Sequence, residues 1–282
     1  MSDYVLNNGV KMPSVGIGTF LLEPADAENS VRVALQAGYR LVDTANMYMN
    51  ERAVGRGMRA SGVKREDIFL STKLWPNEYT NENAVDETLE RLGTDYIDLL
   101  FVHQPTASWR EGYKKLIKAY EEGKIRSIGV SNFEGEFIEQ LLDEFDVKPQ
   151  VFQCECHPFF PQIETRKITD KENIRLMSWF PLGGKNSKGD LLGNETIVAL
   201  AKKFGKSPAQ IVLKWHTQMG FVVIPGSKNP EHIKDNIDIF DFELTEEDMA
   251  SIARLNKGER IHPRTPEALV RYAGFKPTYE EV

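Results

Sequence analysis

The sequence is poor in the residue types that commit a chain to covalent staples, metal cages or membranes. It has two cysteines in 282 residues, Cys154 and Cys156, one residue apart in a strand-like stretch. Such a pair closes almost no loop, so a disulfide there would stabilise little. The reading is a reduced, cytoplasmic protein. Cys154-Glu155-Cys156-His157 lacks the ligand spacing of a zinc site, and no second cluster supplies the missing ligands, so no metal is expected. No apolar run approaches the ~20 residues that cross a bilayer. Met1-Ser2-Asp3-Tyr4 leads into no apolar stretch, so no secretory signal is expected. Positive charge is short as well: a net charge of −7 and a pI near 5.4 argue against a nucleic-acid partner. A third glycine is missing too. Gly16-Ile17-Gly18-Thr19-Phe20-Leu21 falls short of the G-x-G-x-x-G turn of an open dinucleotide-binding sheet, which counts against that fold.

What is present is a soluble globular composition, with 41% hydrophobic and 27% charged residues. Short apolar runs at 15–18, 41–43, 68–72, 97–102, 125–130, 151–154, 175–180 and 221–224 read as strands. Several are apolar throughout, as parallel strands buried on both faces must be. Helical periodicity fills the intervals at 25–37, 51–61, 83–92, 109–122, 134–144, 163–172, 195–218 and 231–237. The seventh interval divides at Gly205-Lys206-Ser207-Pro208, where Ser207 reads as an N-cap with proline at the first helical position. Asn7-Asn8-Gly9 between 4–6 and 10–12 is a hairpin signal. An extra helix is expected at 245–255, and the tail 256–282 carries no strong pattern. The economical reading is one α/β domain over 1–282: a (β/α)₈ barrel with an N-terminal β-hairpin and an extra C-terminal helix.

Active residues of such barrels sit at the C-terminal ends of the strands. There the sequence offers Asp43 after the second strand, Tyr48 in the following loop, Lys73 after the third and His103 after the fourth. Singly, each has an ordinary reading: a cap, a rim charge, a core histidine. Together they form an acid, a phenol, an amine and an imidazole on one rim. A phenol, with a pKa near 10, is a weak acid unless its phenolate is stabilised. A nearby ammonium does this and should draw the pKa down, while Asp43 holds the ammonium. His103 can orient a carbonyl oxygen by hydrogen bonding. The set suits protonation of a carbonyl oxygen while hydride arrives at its carbon.

The run Gly38-Tyr39-Arg40-Leu41-Val42-Asp43-Thr44-Ala45-Asn46-Met47-Tyr48-Met49-Asn50-Glu51 resembles the aldo-keto reductase signature around its catalytic aspartate and tyrosine. Ser71-Thr72-Lys73-Leu74-Trp75 is similar to the segment with the catalytic lysine, and the run from Asp95 to His103 to the segment ending in the catalytic histidine. The run from Glu122 to Phe133 is also close to the family. The likeness extends from the hairpin to about Leu255, with a general look of bacterial 2,5-diketo-D-gluconate reductase-like members. It implies NAD(P)H-dependent reduction of aldehydes or ketones, with Tyr48 as general acid. It also implies cofactor contacts: Ser131, Asn132 and Gln153 on the carboxamide, Trp179 stacked on the nicotinamide ring, Thr19 and Asp43 near its ribose, and Leu182 at the pyrophosphate.

After the eighth strand, Ile224-Pro225-Gly226-Ser227-Lys228-Asn229-Pro230-Glu231-His232-Ile233-Lys234-Asp235-Asn236 matches the segment that grips the adenosine 2′-phosphate in the family. Gly226 replaces its lysine and His232 its arginine, while Ser227, Lys228, Asn229 and Asn236 remain. No acidic residue stands in the loop itself. NADPH is favoured, with NADH as the alternative. On the substrate side the expected walls are Phe20, Met47, Trp75, His103, Gln104 and Phe133, forming an open, aromatic pocket without a fixed cation. The competing readings are a catalytically weak nucleotide-binding barrel acting as a sensor or regulatory subunit, and a barrel hydrolase. Retention of all four rim residues disfavours the first, and the lack of clustered histidines or facing carboxylates the second. The expected partner is a small carbonyl compound, and the chain is expected to be a monomer.

Overall fold

In the computed structural model, which describes residues 3–187 and 189–279, the chain opens with an antiparallel hairpin of β1 (Asp3–Val5) and β2 (Lys11–Pro13). Gly9 takes the left-handed φ of +85° that this turn requires. The side chains of Tyr4, Asn7 and Asn8 donate to the carbonyls of Thr217, Pro149 and Arg126, which fixes the hairpin to the body of the protein.

The strands β3 (Gly16–Gly18), β4 (Leu41–Asp43), β5 (Phe69–Leu74), β6 (Leu99–Val102), β7 (Ile128–Ser131), β8 (Val151–Glu155), β9 (Arg175–Trp179) and β10 (Val222–Val223) follow one another, all parallel, around one sheet. A parallel bridge between Val15 and Val223 joins the last strand to the first, and Gly18 N–H donates to Pro225 O at 3.2 Å. The barrel is closed there by close approach of backbone: a Cβ on Gly18 would lie 2.7 Å from Ile224 O, and one on Gly226 2.9 Å from Gly18 O.

Helices α1 (Pro24–Gln36), α2 (Glu51–Ala60), α3 (Ala84–Leu92), α4 (Trp109–Glu121), α5 (Glu136–Glu144), α6 (Ile163–Lys171), α7 (Glu195–Phe204), α8 (Pro208–Gln218) and α9 (Pro230–Ile237) lie between and after the strands. Two cores result. The larger fills the layer between strands and helices. The smaller fills the inside of the barrel with Leu41, Phe69, Leu99, Val151 and Val222, which open their strands, and with Leu6 and Met12 of the hairpin. The hairpin thus plugs the end of the barrel where the strands begin and leaves the other end for the site. Cys154 and Cys156 are both free and buried in the larger core.

The interval 195–218 holds two helices, as its punctuation requires. Gly205 ends α7 at φ +63°, and Ser207 caps α8 through a reciprocal box with Gln210. The tail departs from expectation. Beyond α10 (Glu246–Ala253), residues read as patternless contain α11 (Pro266–Gly274), where Thr265 accepts from Ala268 N–H and proline takes the first turn. This is the same Ser/Thr-Pro start seen at Ser207-Pro208. The tail crosses the rim: Trp75 Nε1 donates to Phe275 O at 3.0 Å, and Tyr279 OH donates to Glu78 at 2.5 Å. Among the described residues no helix is long and apolar enough to cross a membrane.

Candidate active site

Sheet register assembles the centre of the site. Asp43 ends β4 opposite Ser71 of β5, and Lys73, two residues on, shares the face of Ser71 because strand side chains alternate. Lys73 Nζ donates to Asp43 Oδ2 at 2.6 Å and to Thr44 O at 2.8 Å. Ser71 Oγ and Gln153 Nε2 donate to Asp43 Oδ1 at 2.7 and 3.3 Å. Both members of the ion pair are buried, a costly arrangement unless each remaining lone pair and proton finds a partner. Those hydrogen bonds supply the partners.

Tyr48 lies in a 3₁₀ turn over Asn46–Tyr48, held by Asn46, which donates to Glu51 and Thr88. Its ring centroid is 4.9 Å from Lys73 Nζ and 5.9 Å from the His103 ring. His103 follows β6 and meets Trp75 edge-on at 4.9 Å. The four expected rim residues therefore meet at one end of a cavity of about 890 Å³, which Asp43, Tyr48 and His103 line; Lys73 stands behind them.

Electrostatics corrects one expectation. Burial, reinforced by the Asp43 carboxylate, pushes the Tyr48 phenol well above its ordinary value, instead of Lys73 drawing it down. Asp43 pairs with the ammonium at contact distance and weakens its pull on the phenol, and burial lowers the Lys73 pKa despite that partner. Burial, then Lys73, holds His103 well below the usual histidine range, so its ring is neutral. Its Nδ1 is buried without a partner among the described residues. A proton on Nδ1 would be a stranded donor, so the tautomer with the proton on Nε2 is favoured. That N–H is free to donate into the cavity.

The cavity runs from this end past Ser131, Asn132, Gln153 and Trp179 to Leu182, Gly184, Gly226 and Lys228. Trp179 is half-buried on the cavity wall, with its indole N–H fixed on Asn132 Oδ1 at 3.0 Å. Asn132 also donates to His103 O and Ser131 Oγ. Its backbone φ of +67° is the left-handed state that asparagine tolerates. An elongated trough with a pinned aromatic face midway fits a nicotinamide dinucleotide.

Other expected residues fall differently. Phe20, Met47, Trp75 and Gln104 line the cavity. Phe133 does not: it is fully buried between Trp109 and Phe137 in the outer layer, because the turn after Asn132 directs it away from the barrel axis. Thr19 is buried behind the wall, bonding Asp43 O through its N–H and hydroxyl. Of the phosphate segment Ile224, Pro225, Gly226 and Lys228 line the cavity. Asn229 caps α9, Ser227 Oγ accepts from Asn229 N–H, Asn236 is buried and His232 is exposed. Lys228 Nζ lies 3.2 Å from Asp26 of α1. An acidic residue thus faces the segment from another element, which inspection of the loop alone missed.

The sequence reading also missed Phe180, His262, Pro263, Arg264 and Tyr272 on the walls. Phe180 could have been taken as the residue ending the seventh strand. The others belong to the tail, where the Thr265-Pro266 start was the available signal. His262 stacks on Phe180 at 4.6 Å and Tyr272 meets Trp75 at 5.5 Å. Arg264 places a cation in a pocket expected to lack one.

The sequence pattern of the Aldo/keto reductase family matches residues 14–257. A glyoxal reductase of Bacillus subtilis is 44% identical over 269 residues, covering 94% of this chain and 96% of the relative. An aldo-keto reductase from a Medee basin deep-sea metagenome library superposes with a TM-score of 0.89 at 40% identity, covering 92% of this chain and 97% of that one. A Bombyx mori aldo-keto reductase in complex with NADP gives 0.86 at 34% identity, covering 93% and 95%. The chain belongs to the aldo-keto reductase family and is an oxidoreductase.

Proposed function

We propose that this family member reduces aldehydes or ketones to alcohols with a nicotinamide dinucleotide, and that Tyr48 delivers the proton. The observation that carries this reading is the meeting of the Tyr48 phenol, the neutral His103 ring and the buried Asp43–Lys73 pair at one end of a trough. A bound dihydronicotinamide supplies the hydride. Ser131, Asn132, Gln153 and Trp179 would hold its ring end, Leu182 its middle and Lys228 its adenosine end.

The residues divide the work as follows. His103 Nε2–H donates to the carbonyl oxygen and orients it. As the carbonyl carbon gains hydride, its oxygen becomes an alkoxide, a stronger base than a phenolate. The Tyr48 O–H bond then breaks and the product O–H bond forms. A phenol held well above its ordinary pKa keeps its proton until that base develops. Lys73, 4.9 Å from the ring, offsets the phenolate charge that remains, and Asp43 keeps the ammonium in place.

NADPH is the favoured cofactor, with NADH also accepted. Lys228 is the cation on the cavity wall at the adenosine end, and Asp26 opposes it. His232 and Gly226 supply no permanent charge. Tyr48→Phe tests the central assignment. Turnover of a simple aldehyde should fall by about 10²–10⁴-fold, the usual contribution of general acid catalysis, while cofactor affinity measured by fluorescence titration persists. Turnover near that of the wild type would remove Tyr48 from the proton-donor role.

A further inference from the structure

Tyr48 and Lys73 come from different elements, and one buried side chain outside the cavity holds both of those elements. Ser71 and Lys73 of β5 both donate to Asp43, so Thr72 between them points to the other face of the sheet. There its hydroxyl donates to Glu51 Oε1 at 2.7 Å. Glu51 Oε2 accepts from Asn46 Nδ2 at 2.9 Å, and Asn46 opens the 3₁₀ turn that ends in Tyr48. Arg91 Nε of α3 donates to the same oxygen at 2.7 Å. Glu51 is only 2% exposed and does not line the cavity. Asp43 thus grips Lys73 from inside the barrel, while Glu51 grips its neighbour Thr72 from outside.

The turn carrying Tyr48 does not hold itself. It closes at Met49, whose φ of +56° lies in the left-handed region, a state that a residue with a side chain keeps only where its surroundings impose it. Asn46 Oδ1 is buried without a partner among the described residues. Turning that amide over would set its oxygen against the Glu51 carboxylate, which can only accept. The turn tolerates an orphaned acceptor so that the amide N–H groups reach Glu51 and Thr88 Oγ1, the latter at 3.2 Å. Local rules broken in this way are expected where function constrains the fold.

Resting on the reductase reading above, we propose that Glu51 is a positioning residue, which fixes the Tyr48 phenol against the Lys73 ammonium by tying Asn46 to Thr72. The ammonium lies 4.9 Å from the ring centroid. In a dry site their attraction changes steeply with distance, so a turn that drifts from β5 loses support for the phenolate as the proton leaves. The same drift carries the phenol out of hydrogen-bond reach of the carbonyl oxygen that His103 holds.

Two variants separate reach from charge. Glu51→Asp keeps the charge and shortens the side chain by a methylene, so its carboxylate no longer meets both Thr72 and Asn46. Glu51→Gln keeps the reach: its oxygen accepts from Asn46 and Arg91, and its amide donates to the Thr72 hydroxyl, which can rotate to accept. The single-turnover rate of aldehyde reduction should fall about 10- to 100-fold in Glu51→Asp, the scale for a small displacement of a catalytic group, and less in Glu51→Gln. Cofactor affinity and aldehyde half-saturation should hold. In a Tyr48→Phe background, Glu51→Asp should cost almost nothing further, because no proton donor is left to place. A general folding defect would instead lower the rate by the same factor in both backgrounds. A wild-type rate in Glu51→Asp, equal factors in the two backgrounds, or a glutamine variant slower than the aspartate variant overturns the proposal. Should Glu51→Asp not fold, Thr72→Val decides, since it cuts the tie to β5 and leaves the Glu51–Arg91 pair in place. Its rate should fall about tenfold, and a wild-type rate overturns the proposal. Failure of the reductase reading is separate, because it would appear as no aldehyde reduction by the wild type, or as full turnover in Tyr48→Phe alone.

Discussion

At the residue scale the site depends on which groups are kept neutral. Tyr48 and His103 are both shielded, and shielding disfavours the charged form of each: the phenolate and the imidazolium. For His103 the sign of the pH effect follows directly. Its pKa is lower in the folded protein than in the unfolded chain, so below about pH 6.5 the unfolded chain takes up a proton that the native state refuses. Folding stability therefore falls as pH drops through that range. In His103→Gln, the slope of unfolding free energy against pH between 6.5 and 5 should be shallower by up to about 1.4 kcal/mol per pH unit, measured by urea denaturation. An identical slope would mean that His103 titrates alike in the native and unfolded states, against the lowered pKa. The direct reading of strand ends found these residues, since their positions follow from register. It erred on the direction of the Tyr48 shift, because the sequence shows the ammonium and its Asp43 partner but not the burial that outweighs them.

At the scale of elements, loops and helix starts read correctly where the chemistry is local. Ser207 and Pro208 start α8, Gly205 ends α7, and Asn7-Asn8-Gly9 turns the hairpin. Contacts between elements were not legible. Lys228 after β10 and Asp26 in α1 are 202 residues apart in sequence and 3.2 Å apart in space. That pairing bears on cofactor choice. Asp26→Asn releases Lys228 and removes a negative charge, so NADPH should bind more tightly. His232→Arg adds a fork for the 2′-phosphate. Each change should strengthen NADPH by about one decade, the lower range of a charge-assisted bond, with NADH nearly unaffected. Calorimetric titration of both cofactors at low salt would check this; equal changes for the two would show that the segment does not meet the 2′-phosphate. Restoring lysine at Gly226 is a poor test, because any Cβ there presses on Gly18 O at 2.9 Å and disturbs barrel closure. The same blindness to distant partners applies to Glu51 at the start of α2. It accepts from Arg91 of α3, Thr72 of β5 and Asn46, and so braces the turn carrying Tyr48.

At the scale of the whole molecule, the hairpin closes one end of the barrel and the tail roofs the other. Within α11 Ala268 is the buried residue, so this helix adds little to the core. Its effect is to bring Tyr272 onto the wall and Phe275 O to the Trp75 indole. Truncation after Thr265 should accordingly lower the melting temperature by only a few degrees, since about 1 kcal/mol corresponds to 2–4 °C at this size. Aldehyde KM should rise about tenfold while cofactor affinity holds. A large loss of stability would make α11 part of the fold instead of the pocket.

The sequence by itself determined the barrel, its hairpin, the strand ends and the four rim residues. These rest on short apolar runs, on the helical period of 3.6, on caps and turns, and on the order of the elements, signals that are read along the chain. Only the tertiary structure decided that Phe133 turns into the outer core, that Asp26 faces Lys228, that Tyr48 is raised instead of lowered, and that Arg264 enters the pocket. Each of those outcomes depends on burial and on partners brought from distant elements, and electrostatic energies are set by distances that no local pattern records.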